Sequence, residues 1–228
     1  MGKTPSKKAP IGHYSHNVQK TKNATKKGVS APKLRRVKRR SPQALPYLTL
    51  DEKDRFFKAI ESPRDRALFR LLFHHGLRAS EIGLLEFSHY RRGRSMDMDR
   101  INITRLKGSV SGETTVVPAA ALAMRAWMKK RGTKQGCMFP SRLGTPISRK
   151  MIFVLMRKYC KMADVPLEKA HPHCLKHSCC THLVSDKRES IMDVQAHVGH
   201  VSISSTMKYA KMMDRAHEER AKRLRDWK

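Results

Sequence analysis

"HPHCLKHSCCTHL", residues 171–183, sets four histidines and three cysteines around one lysine. Three readings compete for it: a metal site, a catalytic box, or a helix of unusual composition. His173 and His177 stand one helical turn apart and could form one edge of a metal site, with Cys174 or Cys180 nearby. A structural zinc site usually carries a C-x-x-C clip, and the sequence has none. Cys179 and Cys180 project roughly 100° apart on a helix, so the two do not readily join one cluster. Cys179, Leu175 and Leu183 therefore read as core, and the expectation is no bound metal and no cofactor.

The stretches on either side are helical. "TLDEKDRFFKAI" opens with Thr49 and Glu52 at capping-box spacing. "DRALFRLLFHHG" carries an apolar face and stops at Gly76, a C-cap residue. Ser80 is placed to cap "SEIGLLEFSHY". Alternation in "RINITRL", then "KGSVSG", then "ETTVVP" reads as a β-hairpin. Pro118 starts one helix and Ser148 caps another; in the latter, Met151, Leu155 and Met162 fall at core spacing. Further helices are expected over about 173–184 and 190–198, and in a last stretch around Tyr209. The fold class is mostly α with a small antiparallel sheet (α+β).

The 228 residues carry a formal net charge of +30, from 49 Lys+Arg against 19 Asp+Glu. Such a surplus implies a polyanionic partner, nucleic acid being the usual one. Residues 1–44 hold 13 Lys+Arg and no acid, which marks a basic arm expected to be disordered when free and to bind phosphate backbones through Arg35, Arg36, Lys38, Arg39 and Arg40. Residues 45–228 keep 36 basic against 19 acidic residues, so this domain is basic in its own right. Five irregularly spaced cysteines make no disulfide framework, and no run approaches the roughly 18 apolar residues of a membrane span. A cytoplasmic, nucleoid-associated location is expected (nuclear in a eukaryote), without a membrane partner.

Four stretches taken in order resemble the catalytic domain of the tyrosine recombinase (phage integrase) family. "HGLRASEIGLL", residues 75–85, is similar to the family's first box, with its arginine at Arg78. Lys107 in the hairpin occupies the place of the family's mobile lysine. The 171–183 stretch resembles the H-x-x-R box with His173 first and Lys176 where the family has arginine. "VGHVSISSTMKYA" matches the last box with His200 and, nine positions on, Tyr209. The lack of a separate core-binding domain makes the chain more similar to the small single-domain fimbrial invertases, its basic arm standing where that domain would be.

The resemblance implies a metal-independent recombinase that breaks and rejoins double-stranded DNA through a 3′-phosphotyrosyl link. Tyr209 would attack, Arg78 would clamp the phosphate oxygens, and His200 would donate a further bond. His173 would take the phenolic proton, Lys107 would protonate the leaving oxygen, and Glu81 would hold Arg78. Lys176 keeps a charge but lacks a two-donor fork. Arg105, on the same hairpin as Lys107, reads as a further phosphate contact. The family works as an oligomer on DNA, a tetramer in the synapse, at times with accessory DNA-bending proteins. A C-terminal helix from about residue 214 would dock on a neighbour or fold back. The rival readings are a catalytically weakened DNA-binding protein on the same fold, and a basic RNA-binding protein for which the four boxes are coincidence.

Overall fold

The structure, a computed structural model, describes residues 46–107, 109–210 and Arg225. The basic arm, with Arg35, Arg36, Lys38, Arg39 and Arg40, and the expected helix from about residue 214 lie outside this set apart from Arg225.

Local hydrogen bonding sets the helix boundaries. Helix α1 (Leu50–Lys58) starts at a reciprocal capping box: Glu52 N–H donates to Thr49 Oγ1 at 3.2 Å and Thr49 N–H to Glu52 Oε2 at 2.8 Å. The same carboxylate accepts from Lys169 Nζ at 2.7 Å, which ties α1 to a segment more than a hundred residues away. Helix α2 (Pro63–His74) has Ser62 as N-cap and proline in its first turn, and buries Ala67, Leu68, Phe69, Leu71, Leu72 and Phe73. It stops at His75, after which Gly76 adopts φ +55°. A side chain at 76 would be strained by that φ and would also meet Val198, since a Cβ there would lie 2.7 Å from Val198 Cγ1.

Helix α3 (Ala79–Ile82) is a single turn, much shorter than the expected 80–90 helix. Its N-cap is Arg78, not Ser80, because Glu81 reaches back to accept Arg78 N–H at 2.8 Å. The sheet has three antiparallel strands in the order β1 (Tyr90–Arg91), β2 (Arg100–Ile103), β3 (Gly112–Thr115), with Ile101 opposite both Tyr90 and Thr114. The expected hairpin is β2–β3. Strand β1 was not foreseen, since two residues are too few to show alternation. A buried Asp99 fixes this corner, accepting from the Tyr90 hydroxyl, from Gly93 N–H and from the Arg125 guanidinium.

Helix α4 (Pro118–Arg131) packs across α2. In α5 (Arg149–Met162), Ser148 caps as expected, but the buried face is Ile152, Met156, Tyr159 and Cys160. Met151 and Met162 are exposed, so the expected core phase was shifted by about one residue. Helices α6 (Pro172–Ser185) and α7 (Ile191–Val198) follow, and residues 204–210 are helical.

The apolar residues form two clusters. The larger joins α1, α2, α4 and α5 to the start of α6; the smaller holds Cys179, Cys180, Val184, Val194, Val198 and Tyr209. All five cysteines are free thiols. Among the described residues no helix is long and apolar enough to cross a membrane.

Candidate active site

Glu81 is the electrostatic centre of the first box. Its carboxylate is fully buried and receives Arg78 Nη1 at 2.6 Å, Arg78 N–H at 2.8 Å and Leu106 N–H at 3.1 Å. Burial alone would raise its pKa, but these donors outweigh it and hold the carboxyl below its usual range. Arg78 Nη1 also donates to Leu106 O at 3.0 Å and Ser109 Oγ at 2.9 Å, so one nitrogen is locked between the first box and the hairpin. Among the described residues, Nε and Nη2 of Arg78 make no hydrogen bond of this kind.

Arg78 lines a cleft of about 710 Å³ together with Ser80, Lys107, Arg149, Lys150, Phe153, His171 and His173. Lys107 is exposed and sits at φ +58°, an unfavourable backbone state for a side-chain-bearing residue. Arg149 and Lys150 belong to the first turn of α5, which holds no acidic residue. Cations oppose the macrodipole at a helix N-terminus. That inverted charge placement is a sequence signal, beyond the four boxes, for cations gathered at this helix end.

The same helix α6 that offers His173 to the cleft turns Lys176 and His177 inward. Lys176 is 2% exposed, and its Nζ donates to Val198 O at 3.1 Å. Burial, then the nearby Arg105 and Arg78, lower its amine to about 8. His177 Nδ1 lies 2.6 Å from the Tyr209 hydroxyl, and Tyr209 is 1% exposed within the smaller core. Burial, with the Cys180 thiol alongside, pushes the phenol above its ordinary pKa, so it is held protonated.

The His173 and His177 rings are in edge contact, 4.4 Å between centroids. Tyr209 therefore stands one imidazole behind the cleft wall. Burial and neighbouring cations lower His173 and His200 to about 4 and His177 to about 3, so all three are neutral near pH 7. His200 bonds Thr206 Oγ1 through Nδ1 at 2.9 Å.

Of the residues singled out from the sequence, Arg78, Lys107 and His173 share the cleft and Glu81 braces Arg78. Lys176 and Tyr209 point into the protein. Arg105 corrects its expectation as an open phosphate contact: its side chain is 4% exposed and engaged by backbone carbonyls. His177 as partner of the phenol and Ser109 as partner of Arg78 were not foreseen; each pairing spans about thirty residues. Among the described residues no group of three or more His, Cys, Asp or Glu is arranged to hold a metal ion.

The sequence model of the phage integrase family matches residues 46–215. The chain belongs to that family. It is 31% identical over 201 residues to tyrosine recombinase XerC of Xanthomonas campestris pv. campestris (strain B100), covering 81% of this chain and 59% of that protein. It is 31% identical over 225 residues to XerC of Ralstonia pickettii (strain 12J), covering 86% and 66%. The chain thus spans about three fifths of the first of these relatives. Among solved structures, XerA recombinase superposes with a TM-score of 0.67 at 23% identity, covering 82% of this chain and 66% of that one. A lambda integrase dimer bound to a COC′ core site gives 0.57 at 17%, covering 72% and 47%. These likenesses establish the tyrosine recombinase catalytic fold: mostly helical with a small antiparallel sheet.

Proposed function

We propose that the protein is a site-specific DNA recombinase that cuts and reseals DNA through a 3′-phosphotyrosyl intermediate. One observation carries the reading. Arg78, Lys107 and His173, from three separated stretches of sequence, line one basic cleft with Arg149 and Lys150, and the Arg78 guanidinium is braced by a buried carboxylate. A phosphodiester in that cleft would meet fixed positive charge where the pentavalent phosphorus develops negative charge.

Cleavage is then a balanced exchange. The Tyr209 oxygen forms a bond to phosphorus, the bond from phosphorus to the 5′ oxygen breaks, His173 accepts the phenolic proton, and Lys107 gives a proton to the departing oxygen. His173 is neutral near pH 7 and so has a lone pair free for that proton. Its burial and neighbouring cations make it a weaker base than an exposed histidine until the phosphate's charge offsets them. His200 and Lys176, which do not line the cleft but lie within electrostatic reach of Arg78, would complete the donor and cation set. Because the phenol is buried against His177, cleavage requires the 204–210 helical turn to shift so that Tyr209 passes His173. Rejoining reverses the steps with the 5′-hydroxyl of another strand and needs no nucleotide cofactor.

The partners follow from the same reading: double-stranded DNA, further copies of the chain assembled around paired sites, and accessory DNA-bending proteins where a site needs them. XerH bound to its difH substrate, 20% identical and with a TM-score of 0.61, is a relative of the same fold seen on DNA. Residues 1–44 would act as the arm that closes around the duplex, and the segment from about 214 would dock on a neighbouring copy.

The test is covalent capture on duplexes nicked beside the cleavage point, so that the released strand diffuses away. The wild-type protein should become linked to the 3′ end through Tyr209, and Tyr209→Phe should bind the same duplexes without any link. Binding without capture by the wild type would leave a DNA-binding protein that has lost the chemistry.

A further inference from the structure

Arg105 sits where three sequence segments meet. Its Nη2 donates to His75 O at 3.1 Å and to His197 O at 3.2 Å, its Nη1 donates to Gly76 O at 3.3 Å, and Nη1 lies 3.7 Å from Glu81 Oε2. His75 and Gly76 end α2, two residues before Arg78. His197 lies in the last turn of α7, three residues before His200. Arg105 itself precedes Lys107 by two residues. The last carbonyls of a helix have no partner within it and carry partial negative charge, so a buried cation there is favoured twice, as donor and as charge. Lys176 covers the neighbouring carbonyl, Val198 O. Lys176 takes one such carbonyl here, whereas the planar Arg105 guanidinium joins both helix ends, Nη2 taking His75 O and His197 O while Nη1 takes Gly76 O. The hairpin is further pinned by Arg105 N–H to Ser111 Oγ at 2.9 Å and by Val110 N–H to Gly199 O at 3.3 Å.

We infer that Arg105 is the positioning residue of the site: its guanidinium sets the spacing between Arg78, Lys107 and His200 by joining the ends of α2 and α7 to the hairpin. Resting on the recombinase reading above, this assigns to Arg105 a task that needs no contact with DNA. The strained Lys107 is the member that depends on it most. Lys107 is exposed, lies at a positive φ, and is anchored through the buried residue two positions before it.

The experiment uses the full chain and nicked duplexes carrying the sequence captured by the wild type, made with either an oxygen or a sulfur atom in the bond that breaks. A thiolate leaves without a proton, so a sulfur-bridged duplex bypasses a displaced Lys107. Arg105→Lys should slow covalent capture of the oxygen-bridged duplex about ten- to a hundredfold, the scale of a misplaced catalytic group. It should regain most of that loss on the sulfur-bridged one, with DNA affinity unchanged. Should Arg105→Lys not fold, Arg105→Gln is read in the same way, since an uncharged amide keeps donors on one nitrogen only and loses the Nη1 and Nη2 pair that joins the three carbonyls. Equal slowing on both duplexes, or a wild-type rate on both, overturns the assignment. Capture by the wild type with an unselective Arg105 variant removes this inference alone; no capture by the wild type on any duplex removes the recombinase reading with it.

Discussion

Along one face of helix α6, two residues a turn apart are in opposite states. His173, near the exposed start of the helix, lines a cleft in which Arg78 is already locked by Glu81, Leu106 and Ser109. His177, one turn further in, meets Tyr209, which is buried and protonated. The cation half of the proposed site is preassembled and the nucleophile half is stowed. In the proposed recombinase, binding of a phosphodiester and attack on it are therefore separable steps, the second needing a local rearrangement that the first does not.

Four perturbations break or sharpen that contrast. The largest expected effect is on the preassembled side. Arg78→Ala strips the proposed phosphate clamp and leaves the buried Glu81 with its two backbone donors and one cation, Arg105, at 3.7 Å. The covalent capture rate should fall about a hundred- to a thousandfold, with a loss of thermal stability because a buried carboxylate loses its 2.6 Å ion-pair partner. A single-turnover rate within a few-fold of wild type would place the clamp elsewhere.

Acidification should act on both halves together. His75 and His177 are 1% and 5% exposed and have pKa values lowered to about 3, while an unfolded histidine titrates near 6.5. Between those values the unfolded chain binds protons that the folded chain refuses, so stability falls as pH drops below about 6.5 and is flat above it. The slope should approach about 1.4 kcal/mol per pH unit for each histidine. Denaturant melts at pH 7.5, 6 and 5 measure it, and equal stability at all three would mean that these rings open to water readily.

Deleting residues 1–40 should weaken duplex binding about tenfold near 0.1 M salt and flatten the dependence of affinity on salt, since fewer counterions are released. An unchanged salt slope would remove the arm from the interface and leave the cleft cations as the main phosphate contacts.

The smallest effect tests the stowed side. His177→Leu keeps the bulk but removes the nitrogen facing Tyr209, and one hydrogen bond is worth about 1 kcal/mol. Capture should speed up about fivefold and Tyr209 should iodinate more readily. Slower capture together with faster iodination would show that His177 guides the phenol during attack as well as at rest.

Much of the fold was readable because helix boundaries are decided within three or four residues. Thr49 with Glu52, Ser148 with Met151 N–H, and Gly76 after His75 all act over that range. The short α3 escaped for the converse reason, Glu81 being drawn to the hairpin and to Arg105 by residues 24 or more positions away, and β1 because its two residues exist as a strand only through pairing with Arg100 and Ile101.

The sequence by itself determined which cations the protein carries, their order along the chain, the caps that start its helices, and the resemblance now borne out by family membership. The tertiary structure alone decided which of those groups face water. Lys176 and His177 are neighbours in the chain, yet one bonds a helix-end carbonyl and the other a phenol, while His173 one turn earlier lines the cleft. Arg105 looks like any surface arginine until its partners at 75, 76 and 197 are known. Burial is a property of contacts between distant segments, and the free-energy cost of an unpaired buried charge is what fixes where each of these side chains can point.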